Sequence, residues 1–172
     1  MRLFIALDPP KEIREEISDL QFASSQIRWN NTDQFHLTLA FLGDQPENRF
    51  DELCEQLAEI HFDPFELKTR DVGCFQHGAL WLGFESNSTL LRLQKQLAHK
   101  LRSIAIKLEH RRFHPHLTLG RCRNNPGPAV EHLQHRLNHR RFEFGVDRFL
   151  LKSSVLRQDG AVHQVEAEFL AD

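Results

Sequence analysis

The stretches FHLTLAFLG, residues 35–43, and HPHLTLGR, residues 114–121, write His-Leu-Thr-Leu twice in a chain of 172 residues. A sequence with eleven histidines and many leucines can repeat a tetrapeptide by chance, so the surroundings of each copy decide its meaning. Both copies alternate polar and apolar residues, which is the period of a half-buried β-strand. In a strand, His36 and Thr38 share one face while Leu37 and Leu39 share the other. His116 and Thr118 stand against Leu117 and Leu119 in the same way. Each copy therefore presents a polar pair on an apolar backing.

Upstream of the first copy, RLFIAL (2–7) reads as a strand that ends at DPP. PPKEIREEISDLQFASS then reads as an amphipathic helix, opened by prolines, with Ile13, Ile17 and Leu20 at helical spacing. QIRWN is a short strand, NTDQ a turn, and the first His-Leu-Thr-Leu strand stops at Gly43 and Asp44. PENRFDELCEQLAEI puts Phe50, Leu53, Leu57 and Ile60 on one helical stripe. FELKTRDVGCF and ALWLGFE are strands around a QHGA turn, and STLLRLQKQLAHKLRSIAI is a long helix capped by Ser88 or Thr89. After the second copy, CRNNPGPA is a loop whose Pro128 begins the helix AVEHLQHRLNHR, and 142–170 closes the chain as alternating strands around a QDG turn.

Strands joined by short turns are mixed with helices, and no glycine-rich phosphate loop is present. That pattern favours an α+β fold with antiparallel sheets over a doubly wound parallel one. Each His-Leu-Thr-Leu strand is separated from the next strand by a helix, as if one strand-helix unit had been used twice. Duplication of this kind predicts two lobes related by an approximate two-fold axis, with the two motifs facing each other at that axis.

The length suits one compact domain over 1–172, built as two lobes that share a cleft. The opening MRLFIALDPP has too short an apolar run for a signal core, and nowhere do eighteen apolar residues run together, so the expectation is a soluble cytoplasmic protein that engages no membrane. Three cysteines at long spacings, Cys54, Cys74 and Cys122, suggest neither a disulfide framework nor a zinc site. A net charge of −2 argues against a broad basic surface for duplex nucleic acid, yet leaves room for a small cationic cleft gripping one or two phosphates.

Two imidazoles that titrate near neutrality can divide acid and base duties, one taking a proton from a nucleophile and the other giving one to a leaving group. Two hydroxyls beside them can donate hydrogen bonds to a phosphoryl oxygen as its charge builds. Together they make a metal-free design for phosphodiester cleavage. A single His-x-Thr needs no such explanation, since it is an ordinary wet face of a strand. Two copies at equivalent places are what carry the chemical reading.

At these residues the sequence resembles the 2H phosphoesterases, and among them the bacterial and archaeal RNA 2′,3′-cyclic phosphodiesterases historically called 2′-5′ RNA ligases. RLFIALDPP is similar to the family's opening strand and turn, FHLTLAFLG to its first motif, ALWLGF to its central strand and FHPHLTLGR to its second. The resemblance implies two pseudo-symmetric lobes, each an antiparallel sheet with helices packed outside, around a central groove. It implies hydrolysis of a terminal RNA 2′,3′-cyclic phosphate to a 2′-phosphate, with no cofactor, and a matching ability to form 2′-5′ linkages. Carried over, His36 is the proton donor and His116 the proton acceptor, Thr38 and Thr118 bind the phosphate, and Arg121 holds a nonbridging oxygen or, alternatively, ends a strand in a surface salt bridge. Phe41 is a candidate base-stacking aromatic, with core packing as the alternative. The chain has no tyrosine, so a family contact that uses one near the C-terminus is replaced or absent, with His163 in the region concerned. The expected partner is RNA with a 2′,3′-cyclic phosphate end, tRNA fragments among them, and the expected state is a monomer.

Other readings stand beside this one. His132, His135 and His139 fall at i, i+3 and i+7, and His110 clusters with His114 and His116, but no Cys, Asp or Glu completes a familiar zinc spacing, and a wet helix face explains the first three. Arg111–Arg112 and Arg140–Arg141, with Lys107 and Arg148, suggest a basic rim that guides an RNA end, or simply solvated charges. An RNA-end binding module without turnover, or a phosphodiesterase of ADP-ribose 1″,2″-cyclic phosphate, 2′-5′ oligoadenylate or oligouridine tails, would use the same groove. Loops at 21–34, 71–79 and 121–128 are the expected groove mouth.

Overall fold

The computed structural model describes Met1–Asp172. The alternating segments form nine strands, β1 (Arg2–Leu7), β2 (Ile27–Trp29), β3 (Leu37–Asp44), β4 (Phe65–Cys74), β5 (Ala79–Phe84), β6 (His116–Cys122), β7 (Glu143–Val146), β8 (Arg148–Arg157) and β9 (Gly160–Leu170). The 3.6-period segments form four helices, α1 (Lys11–Ser18), α2 (Phe50–Ala58), α3 (Ser88–Ser103) and α4 (Gly127–Leu137). All strand pairings are antiparallel, in the order β7-β4-β5-β6-β3-β1-β8-β9, with β2 added on β6. The two lobes are thus halves of one curled sheet, β4-β5-β6 and β3-β1-β8. Their junction is one register pair, Leu37 opposite Leu117.

Each lobe borrows from the other half of the chain. The first lobe buries Leu37 and Leu39 with Leu53 and Leu57 of α2 and Leu90, Leu93 and Leu97 of α3. The second buries Leu117 and Leu119 with Ile17 and Leu20 on the α1 side and Leu133 and Leu137 of α4. The helices after β1 and β5 therefore cross beneath the opposite lobe, and outer strands β8 and β4 are likewise exchanged. Neither half of the chain can bury its apolar faces alone, which ties the lobes together far more firmly than one pair of hydrogen-bonded strands would.

Several helix ends differ from the sequence expectation, with α1 stopping at Ser18 before the QFASS stretch and α3 at Ser103 before IAI. Asn87, not Ser88 or Thr89, caps α3, its side chain accepting from the Leu90 N–H at 2.9 Å; an Asn one residue earlier serves equally well as a cap. α4 stops at Leu137 because Asn138 and His139 turn left-handed, at φ 45° and 61°. No helix is long and apolar enough to cross a membrane.

Candidate active site

The Leu37–Leu117 pair fixes the site. Cross-strand partners share a face, so with both leucines in the core, the residues that flank them, His36, Thr38, His116 and Thr118, turn to the concave side. All four line one groove of about 900 Å³. Phe35, the residue before His36, is fully buried and pins the chain there. Asn30 anchors the second motif, its side-chain amide donating to the Thr118 carbonyl at 3.1 Å.

Strict alternation would point Phe41 and Arg121 into the cores, and the structure does otherwise. Thr38 stands opposite Ala6 but Ala40 opposite Ile5, leaving Leu39 as an extra residue. In β6, Thr118 stands opposite Trp81 but Gly120 opposite Leu80, leaving Leu119 extra. Each β-bulge flips the residues after it to the other face. As a result Phe41 and Arg121, equivalent under the two-fold, both line the groove. Core packing of Phe41 is thereby overturned, since it is 58% exposed. Arg121 makes no strand-end salt bridge; its guanidinium donates to the His77 carbonyl at 3.0 Å. Because β3 and β6 are antiparallel, Phe41 and Arg121 mark opposite ends of the groove.

The two imidazoles sit in different surroundings. His116 Nδ1 lies 2.7 Å from the His114 carbonyl. A carbonyl only accepts, so Nδ1 carries the proton and Nε2 keeps its lone pair. Burial lowers the His116 pKa below the usual histidine value, against the pull of that carbonyl. His36 is pushed down to about 3, mainly by burial and then by the charge of Lys152, with His163 and His116 adding to it. The Gln34 backbone pulls the other way, although Nδ1 makes no hydrogen bond of ordinary geometry. Phe4 packs on the His36 ring at 5.0 Å, and His163 meets it edge-on at 5.1 Å. Lys152 lies beside Phe4 on the same face of the sheet, and its ammonium donates to both carboxylate oxygens of Asp8 at 2.9 and 2.7 Å.

Phe4, Asp8 and Lys152 went unread in the sequence, although a lone lysine in the apolar run FLLKSS is a signal that a buried counter-charge must exist. His163 does reach the groove. The expected basic rim does not form there. Arg141 pairs with Glu85, Arg111 with Glu109, and Arg148 with Asp147 and Glu168, while Lys107 alone of that set lines the groove. Segment 71–79 contributes nothing to the lining, and the β8–β9 hairpin takes its place. The histidine stripe is also broken: His132 stacks on Phe22 at 3.8 Å, and His139 lies beyond the helix. No three His, Cys, Asp or Glu side chains are grouped to hold a metal ion.

A curled antiparallel sheet that brings two His-x-Thr-x strands together over an open groove defines a 2H phosphoesterase. Residues 9–155 match the 2′-5′ RNA ligase superfamily, and the chain belongs to that family. It is 29% identical to the RNA 2′,3′-cyclic phosphodiesterase of Archaeoglobus fulgidus, over 95% of this chain and 97% of that one. It is 30% identical to the protein of the same name from Thermotoga maritima, over 96% and 92%. Among solved structures, E. coli LigT complexed with 3′-AMP superposes with a TM-score of 0.83 at 26% identity, covering 99% of this chain and 97% of that one.

Proposed function

We propose that this chain is an RNA 2′,3′-cyclic phosphodiesterase that opens a terminal 2′,3′-cyclic phosphate to a 2′-phosphate by two-histidine acid-base catalysis. What supports the reading is that His36, Thr38, His116 and Thr118 flank the Leu37–Leu117 pair and line one groove. The relatives' names supply the substrate class.

Water attacks phosphorus in line, opposite O3′. The lone pair on His116 Nε2 takes the water proton, the P–O3′ bond breaks, and His36 delivers a proton to O3′. Thr38 and Thr118 donate to the nonbridging oxygens as charge builds on them, with Arg121 as a further donor. Phe41, exposed at one end of the groove, stacks on the terminal base. In the empty groove both imidazoles are neutral at pH 7. His116 is therefore ready as base, whereas His36 acquires its proton when the anionic phosphate arrives beside it. A 5′-hydroxyl in place of water would leave a 2′-5′ phosphodiester, the ligation reaction.

Phosphorus NMR of a short RNA ending in a 2′,3′-cyclic phosphate, incubated with the protein, tests this reading. A 2′-phosphate is the expected product; a 3′-phosphate or unchanged RNA would contradict it.

A further inference from the structure

β2 lies on β6 with Arg28 directly opposite Arg121, so the two side chains emerge on one face at one end of the groove. Like charges at such positions, with Cβ atoms about 4.5–5.5 Å apart, repel and destabilise a sheet. The chain has 24 acidic residues against 22 lysines and arginines, yet neither guanidinium is paired with a carboxylate. Arg121 uses one nitrogen on the His77 carbonyl, and Arg28 has no hydrogen-bond partner. Asp159, in the β8–β9 turn, is the acid lining this end, and it forms an ion pair with neither.

The surrounding backbone is shaped around Arg28. A side chain at Gly120 would press on the Arg28 carbonyl, 2.7 Å from its Cβ, so the glycine lets β2 approach. A Cβ at Gly160 would lie 3.2 Å from Arg28 Nη2, and its φ of +119° suits glycine alone. Arg28 thus spans from the second lobe to the hairpin of the first.

We infer that Arg28, set beside Arg121, forms a second phosphate subsite, which takes the phosphodiester on the 5′ side of the terminal nucleotide and makes the groove selective for oligonucleotide ends over cyclic mononucleotides. The inference rests on the proposed reading for the orientation of the sugar. In a ribose 2′,3′-cyclic phosphate, O2′ neighbours the carbon bearing the base and O3′ neighbours the carbon bearing C5′. Phe41 lines one end of the groove and Arg28 stands beside Arg121 at the other. With the base stacked on Phe41, C4′ and C5′ lie on the far side of the sugar ring and run toward Arg28. Aromatic surface and unpaired cations therefore fall where base and next phosphate fall.

Calorimetric binding of adenosine 2′-phosphate and of the dinucleotide ApA with a terminal 2′-phosphate, to wild type, Arg28→Ala and Arg28→Lys, tests the subsite without requiring turnover. Arg28→Ala is expected to weaken the dinucleotide about tenfold and the mononucleotide by less than about twofold, with Arg28→Lys between. Equal weakening of both ligands, or none for the dinucleotide, would overturn the inference. Wild type that shows this selectivity but leaves a 2′,3′-cyclic end unopened would instead remove the hydrolase reading and leave the subsite.

Discussion

Leu37 of the first motif and Leu117 of the second are cross-strand partners, and both are fully buried. The pair joins β3 to β6, and the catalytic candidates are its immediate neighbours. Truncating Leu117 to Ala should cost about 2–5 kcal/mol by removing buried methyl groups and leaving a void. Because the seam also sets the spacing of His36 and His116, activity per folded molecule should fall as well. Urea titration combined with assays below the transition checks both; full specific activity in the folded fraction would contradict the role given to the seam.

Thr38 and Thr118 face the groove against a buried leucine backing, so replacing either hydroxyl with the isosteric methyl of valine leaves the packing unchanged. Thr38→Val and Thr118→Val should each lower kcat roughly a hundredfold, the scale for loss of one donor to a developing oxyanion. Serine at either position should restore most of the rate. An effect confined to KM would mean the hydroxyls bind ground state and transition state alike.

The depressed pKa of His36, about 3 in the empty groove, makes binding and protonation interdependent. A bound phosphate anion stabilises the imidazolium and raises that pKa, so a proton is taken up near pH 7 and affinity falls as pH rises. In a His116→Ala background the cyclic diester, whose own charge is fixed, can be titrated calorimetrically in buffers of different ionisation enthalpy. Uptake approaching one proton is expected, and adding His36→Asn should remove it. Binding without uptake would refute His36 as the proton donor. The kcat profile should be bell-shaped, its acid limb set by His116 and its alkaline limb by His36, both in the substrate complex.

Much of this site was legible in the sequence because period-2 alternation assigns His36, Thr38, His116 and Thr118 to one face directly. Phe41 and Arg121 were harder, since bulges at Leu39 and Leu119 invert the alternation after each motif. Nothing in a single strand's pattern marks a bulge, which is a property of the pairing. The crossing of α1 and α3 beneath the opposite lobes is likewise invisible to a stripe of apolar residues, which says that a helix is buried but not by what. Arg28 was hidden by its setting in QIRWN, where it reads as an ordinary strand cation until β2 is seen against β6.

Two-histidine catalysis is tested by following the cyclic end of a short RNA in EDTA with wild type, His36→Ala and His116→Ala. Wild type should turn over fully without a divalent ion, and each variant should lose at least about a hundredfold in rate, the scale of one general acid or base. Turnover that collapses with chelation, or that survives loss of either histidine, would contradict two-histidine catalysis.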